Sequence, residues 1–253
     1  MRILATYNIK GGVGKTTTAV NLAYLAAQEG YRTLLWDLDP QGAATFCFRV
    51  KPKIKGGITG LKKRSSSLEK AVKATDFEGL DVIPSDFSFR NFDQVFSDAK
   101  KPARQLLKLL FPIAREYDLL IIDSAPSISL ASENIFYAAD ALLIPLIPTT
   151  FSVRTYYQLL HYFRKKPASH LKLLPFFSMY DSSRLLHRQI VGSLPREFRG
   201  MLNTSIPYAR RIELMGVERA PIGHFAPKSK SDKAYKRLWE EIREKVLDER
   251  HFF

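Results

Sequence analysis

Short apolar runs recur along the chain, each closed by a polar residue or a turn former: Ile3 to Tyr7, Leu34 to Asp37, Leu80 to Pro84, Leu119 to Asp123, Ala141 to Pro145 and Leu171 to Phe177, with a shorter one near Thr204 to Ile206. Runs this short read as strands, and near-continuous apolar strands belong to a sheet buried on both faces. Helical spacing appears between them. From Lys15, the positions Leu22, Leu25 and Ala26 fall at i, i+3 and i+4, and Gly30 supplies a stop. Near the C-terminus, Tyr235, Leu238, Trp239, Ile242 and Val246 make one apolar face, while Glu240, Glu241, Glu244, Asp248 and Glu249 occupy other positions. That helix is expected to pack on the sheet. The alternation predicts an α/β fold, a mostly parallel twisted sheet with helices on both faces. The 253 residues suffice for one large core, and the expectation is a single domain over 1–253 without repeats.

The strongest chemical signal is Lys10-Gly11-Gly12-Val13-Gly14-Lys15-Thr16-Thr17, lying between the first strand and the first helix. Such a junction aims backbone N–H groups and the positive end of a helix dipole at one spot, which suits a polyphosphate. The glycines let the chain bend around it. The general pattern G-x-x-x-x-G-K-[ST] is met only in part, because its first glycine would fall on Ile9. Asp39 follows the second strand in Asp37-Leu38-Asp39-Pro40-Gln41-Gly42, and Asp123 closes the strand before Ser124-Ala125-Pro126-Ser127. Ligands of open α/β sheets sit at the carboxyl ends of the strands, so one pocket can collect Lys15, Asp39 and Asp123.

With its extra lysine at position 10, the loop resembles the deviant phosphate loop of the ParA/MinD family of P-loop ATPases, and the segments around Asp39 and Asp123 resemble that family's two switches. The resemblance implies ATP and Mg²⁺ as cofactors and an ATP-dependent homodimer. Lys15 would hold the β and γ phosphates, and Lys10 would reach the partner's nucleotide across a two-fold interface. Gly11, Gly12, Val13, Gly14 and Thr17 would complete the cradle. Thr16, Asp39 and Asp123 would face Mg²⁺, Asp123 through water, and Asp39 would orient the attacking water. Asp37 is expected to be structural or a more distant Mg²⁺ group. Met179, Pro207 and Tyr208 are candidate adenine contacts.

Charge sharpens the partner class. The chain carries 39 basic against 25 acidic residues, and residues 151–253 hold 20 against 10. A surplus of that size in one half is the footprint of a polyanion partner. Met179-Tyr180-Asp181, Arg184, Ile206-Pro207, Ala226-Pro227-Lys228-Ser229-Lys230 and Ala234-Tyr235 recur in order in ParA-type partition ATPases, which implies DNA binding without sequence preference. Arg184, Arg188, Lys228, Lys230, Lys233 and Arg237 are the DNA candidates, and a ParB-like or adaptor protein would stimulate hydrolysis. The family's Arg-Asn pair after Ile-Pro is replaced by Tyr208-Ala209. Residues 49–73 hold nine basic residues against Glu69 and three glycines, and are expected to form a flexible loop that is either simply solvated or in contact with DNA or an acidic partner.

The single cysteine, Cys47, excludes a disulfide framework and a thiolate metal site of its own, and reads as a small packed hydrophobe in a reducing compartment. No secretory signal and no run of about 20 apolar residues is present, so the expected location is cytoplasmic, on the nucleoid. The alternative is a MinD-like membrane-positioning ATPase. It would need a basic amphipathic C-terminal helix, which the acids of the last helix disfavour, with Phe252-Phe253 a reservation.

Overall fold

The computed structural model describes residues 1–63, 67–166, 168, 170–194, 198 and 200–248. Seven strands form one sheet: β1 (Arg2–Thr6), β2 (Thr33–Asp37), β3 (Lys73–Ala74), β4 (Leu80–Ile83), β5 (Leu119–Asp123), β6 (Ala141–Leu146) and β7 (Lys172–Phe177). Their order is β3-β4-β2-β5-β1-β6-β7, parallel throughout except that β3 runs antiparallel to β4. Alternate residues of each strand feed two different cores. Ile3, Ala5, Leu34, Trp36, Leu120 and Ile122 face one, and Leu4, Leu35, Leu119 and Ile121 face the other. This is why the strands read as continuous apolar runs rather than as an alternation.

Helix α1 (Lys15–Gln28) and the helix Lys230–Ile242 cover the second face, where Tyr235, Leu238, Trp239, Ile242 and Val246 are all buried, as expected from their spacing. The helices Leu130–Ala138 and Thr150–Lys165 contribute Ile135, Phe136, Tyr156 and Leu159 to the first. Cys47 is buried among apolar neighbours in α2 (Ala43–Cys47). None of the described helices is long and apolar enough to cross a membrane. Phe252 and Phe253 lie outside the described residues.

Two expectations fail. Thr204 to Ile206 is not a strand of the sheet. Its chain is extended and held by Ile206 N–H to the Phe177 oxygen at 2.8 Å, and Tyr180 and Pro207 form a single bridge. The pairing ends there because it involves one pair of residues only, Tyr180 with Pro207, bonded through the Ile206 oxygen and the Tyr208 N–H. The described residues of the basic segment, 49–63 and 67–73, are not a flexible loop: they contain α3 (Gly57–Lys62) and the start of β3, and bury Ile54, Ile58, Leu61 and Leu68 in the core, while residues 64–66, Arg64 among them, lie outside the described residues. Its glycines serve close packing rather than mobility. Gly57 sits at φ +54°, and a Cβ there would fall 2.5 Å from Ser88 Oγ.

Candidate functional site

The loop between β1 and α1 is fixed at both ends. Asn8 Nδ2 donates to the Pro145 oxygen at 2.8 Å, and Asn8 Oδ1 accepts from the Lys10 N–H at 2.9 Å. Gly14 precedes α1 at φ +93°, and its oxygen accepts from the N–H of Thr18 at 3.1 Å and from the Thr18 hydroxyl at 2.7 Å. A Cβ on Gly14 would lie 2.8 Å from Ser178 Oγ, so the start of α1 and the end of β7 meet there without room for a side chain. Gly12 also has positive φ, at +69°. Gly11 and Gly12 are exposed, whereas Val13 is buried and anchors the loop.

Lys15 is 6 % exposed, and its Nζ donates to the Lys10 oxygen at 3.2 Å. Burial pulls its ammonium below the usual lysine range, while the nearby charges of Asp123 and then Asp39 oppose that pull. Asp123 and Asp37 pair in register as the last residues of β5 and β2, and neither is exposed. Burial raises the pKa of both. At Asp123 the charge of Asp37 adds to the rise and the hydroxyls of Thr16 and Thr6 act against it. At Asp37 the Thr45 hydroxyl and N–H, at 2.7 and 2.8 Å from Oδ2, oppose it. Asp39 lies half-buried just beyond, its main-chain oxygen held by Ser85 Oγ at 2.6 Å. The charges of Asp123 and Asp39 reach Lys15, and the Thr16 hydroxyl reaches Asp123, so these four residues lie together at the strand ends.

A divalent cation fits this corner. Asp123 Oδ1 accepts from Thr6 Oγ1 at 3.2 Å, but Oδ2 is buried and has no hydrogen-bond partner among the described residues. An orphaned carboxylate oxygen beside a threonine hydroxyl at the start of a phosphate loop is what Mg²⁺ uses when phosphates and waters complete its shell. No cluster of three or more His, Cys, Asp and Glu that could hold a metal occurs among the described residues, so such an ion would depend on the nucleotide.

The adenine candidates also converge. Tyr180 N–H donates to the Ile206 oxygen and Tyr208 N–H to the Tyr180 oxygen, both at 2.9 Å, which brings Met179, Pro207 and Tyr208 to one place beyond β7. Met179 has positive φ, and Tyr208 is exposed with its hydroxyl on Glu213 Oε1 at 3.1 Å.

A family model described as an AAA domain matches residues 1–172. The sporulation initiation inhibitor protein Soj of Bacillus subtilis is 30 % identical over 247 residues, covering 95 % of this chain and 98 % of its own. The chromosome partitioning protein ParA of Myxococcus xanthus is 32 % identical over 249 residues, covering 95 % and 87 %. The chain belongs to the ParA/Soj family of partition ATPases. Among solved structures, cobyrinic acid a,c-diamide synthase from Mycobacterium smegmatis with bound ADP and magnesium superposes with a TM-score of 0.80 at 26 % identity, covering 97 % of this chain and 96 % of that one. A putative plasmid partition protein from Borrelia burgdorferi bound to AMPPNP reaches 0.82 at 23 % identity, covering 97 % and 99 %, a likeness of fold.

Beside that ParA/Soj frame, the DNA candidates form two groups. Arg184 and Arg188 stand at the helix Leu185–Ser193. Arg184 Nε pairs with Asp181 at 3.1 Å, and Arg188 Nη1 donates to the Ser182 and Ser183 oxygens. Lys228 and Lys230 line an open groove of about 490 Å³ with Arg210 and Arg211, two cations that sequence reasoning missed. Lys233 and Arg237 lie one turn apart on the exposed face of the helix that Lys230 begins. Sequence reasoning also missed Ser178, Thr45 and Ser85. Single hydroxyls carry no pattern, and each matters only because the fold sets it against a loop glycine, Asp37 or Asp39.

Proposed function

We propose that this member of the ParA/Soj family hydrolyses ATP as a face-to-face dimer, binds DNA without sequence preference, and positions a plasmid, chromosome or protein cargo with a ParB-like or adaptor partner. The observation that carries the reading is Lys10. It stands at the lip of the loop, half-buried, and its ammonium has no hydrogen bond or ion pair among the described residues, while Lys15 lies inside the loop. A second cation beside a site that already has one fits a phosphate held by another subunit, where it would neutralise developing charge.

In this reading the N–H groups of residues 11–17 cradle the phosphates, and Thr16 and Asp123 hold Mg²⁺, which would shield the β and γ phosphate charge. Asp39, fixed through its main chain by Ser85, orients the attacking water. Met179, Pro207 and Tyr208 take the adenine. Arg184, Arg188, Lys228, Lys230, Lys233 and Arg237, with Arg210 and Arg211, supply the phosphate contacts to DNA, doubled in the dimer. The membrane-positioning alternative lacks a free apolar face on the helix Lys230–Ile242, whose apolar residues are buried.

The test is binding of the Asp39→Ala protein to duplex DNA of unrelated sequence and to anionic liposomes, with ATP, with ADP and without nucleotide, over a salt series. The expected result is tight binding to DNA with ATP alone, weakening linearly in log affinity against log salt. Capture by liposomes without binding to DNA would transfer the case to the membrane reading.

A further inference from the structure

The basic segment that the ATPase site leaves unused builds a trench of about 580 Å³ at the β3 end of the sheet. Lys51, Lys53 and Lys55 come from a bent stretch of chain in which Lys53 N–H donates to the Lys51 oxygen at 2.9 Å, and Lys70 and Lys73 come from another. Val50, Ile54 and Ala71 line it as well, Ile54 and Ala71 being buried. Among the described residues none of the five ammonium groups makes an ion pair, with Glu69 or with any other acid. The same does not hold for their basic neighbours, because Arg49 is paired with Asp76 and Lys62 with Asp98.

The walls are held in place. Ile54 N–H donates to Asp86 Oδ2 at 2.8 Å, Gly57 N–H to the Ile54 oxygen at 3.0 Å, and Ala71 N–H to the Leu68 oxygen at 2.9 Å. Five like charges fixed around one concavity repel one another, and an anionic occupant relieves the repulsion. β3 is the last strand of the sheet, two exposed residues long, and its outer edge adjoins the trench through Lys73.

We propose that this trench is a docking site for an extended acidic segment of a partner protein, one whose carboxylates alternate with apolar side chains. The chemistry selects a peptide over a nucleic acid. The lining has no arginine for bidentate phosphate contacts and no aromatic ring on which a base could stack, whereas it does have an apolar floor that a sugar-phosphate backbone would leave unfilled. A peptide of this kind sets its carboxylates against lysines from both stretches of chain, places apolar side chains on the floor of Val50, Ile54 and Ala71, and can lie along the edge of β3. The surface lies at the opposite end of the sheet from β7, after which Arg184 and Arg188 follow.

The experiment titrates the full-length protein against three labelled probes: a short peptide of alternating glutamate and leucine, the same length of alternating glutamate and serine, and duplex DNA. The expected result is salt-sensitive binding of the glutamate-leucine peptide, weaker binding of the glutamate-serine peptide, and a loss of about tenfold or more for the first in Lys53→Glu/Lys70→Glu. The milder Lys53→Gln/Lys70→Gln should lose less but in the same direction, with thermal unfolding and ATP turnover as in the parent. Equal binding by parent and variants would place the peptide elsewhere and overturn the proposal. Equal binding of the two peptides would remove the apolar floor from it. A loss confined to DNA would make the trench a nucleic-acid surface instead. None of the binding titrations needs ATP, so the proposal and the dimer reading fail separately.

Discussion

Lys15 Nζ donates to the main-chain oxygen of Lys10 across 3.2 Å, so the two lysines of the phosphate loop are linked through backbone and not through charge. Lys10→Ala keeps that oxygen and removes only the ammonium, which lets the two roles be separated. Lys15→Ala should weaken ATP about a hundredfold, the scale of losing a charge-assisted contact. Lys10→Ala should bind ATP within a few-fold of the parent yet stay monomeric in sedimentation with ATP. A Lys10→Ala protein that still dimerises would remove the cross-subunit role.

Thr45 is tied to a buried acid. Its hydroxyl donates to Asp37 Oδ2 at 2.7 Å and accepts from the Ser85 N–H at 2.8 Å, so it joins β2, α2 and the turn after β4. Thr45→Val keeps the shape, leaves the buried Ser85 N–H without its acceptor and leaves Asp37 Oδ2 with the backbone N–H of residue 45 alone. The expected loss is about 1–3 kcal/mol of stability, read from urea unfolding, and Thr45→Ser should recover most of it. A loss indistinguishable from zero would mean that the backbone donors to Asp37 suffice and that the Ser85 N–H finds another acceptor. Because Ser85 also holds the Asp39 oxygen, ATP turnover should fall more than ATP binding.

Much of this was legible in the sequence, for a physical reason. Strands buried on both faces must be apolar throughout, so β1, β2, β4, β5, β6 and β7 announce themselves, and the phosphate loop needs its glycines and lysines in consecutive positions. β3 was invisible because Lys73 and Ala74 are two exposed residues whose pairing is decided by β4. The basic segment misled for a related reason. Its apolar residues, Ile54, Ile58, Leu61 and Leu68, are few and scattered among charges, and only the tertiary fold shows that they point to one core. Thr204 to Ile206 differs the other way, since the segment meets the chain after β7 in one bridge, Tyr180 with Pro207, and a single bridge does not make a strand.

Gly14 tests how tightly the loop is built. Its φ of +93° and the 2.8 Å that would separate a Cβ at this position from Ser178 Oγ both exclude a side chain. Gly14→Ala should cost about 1–3 kcal/mol in strain and abolish ATP binding, while Gly14→Ala with Ser178→Gly should recover part of the stability and none of the binding if the backbone conformation is what matters. Recovery of binding in the double variant would show that the clash alone was at fault. Calorimetric unfolding together with nucleotide titration distinguishes the two.

His187 makes the region beyond β7 sensitive to pH. It is buried, its Nδ1 accepts from the Asp181 N–H at 3.1 Å, and its ring stacks near Tyr180 with centroids 6.4 Å apart. Burial holds its pKa below the ordinary histidine value, the Arg184 charge adds to this, and Asp181 opposes it. The neutral ring is therefore the native form. Its stabilising effect is present above the unfolded histidine pKa of about 6.5 and is lost as pH falls through the lower folded value, where protonation removes the acceptor that holds the Asp181 turn. Since Met179 and Tyr180 precede that turn, nucleotide affinity should fall with stability as pH drops below the ordinary histidine value of about 6.5. His187→Asn, which offers an amide oxygen and does not titrate, should flatten both profiles over that range. An unchanged slope would assign the acid limb to another group.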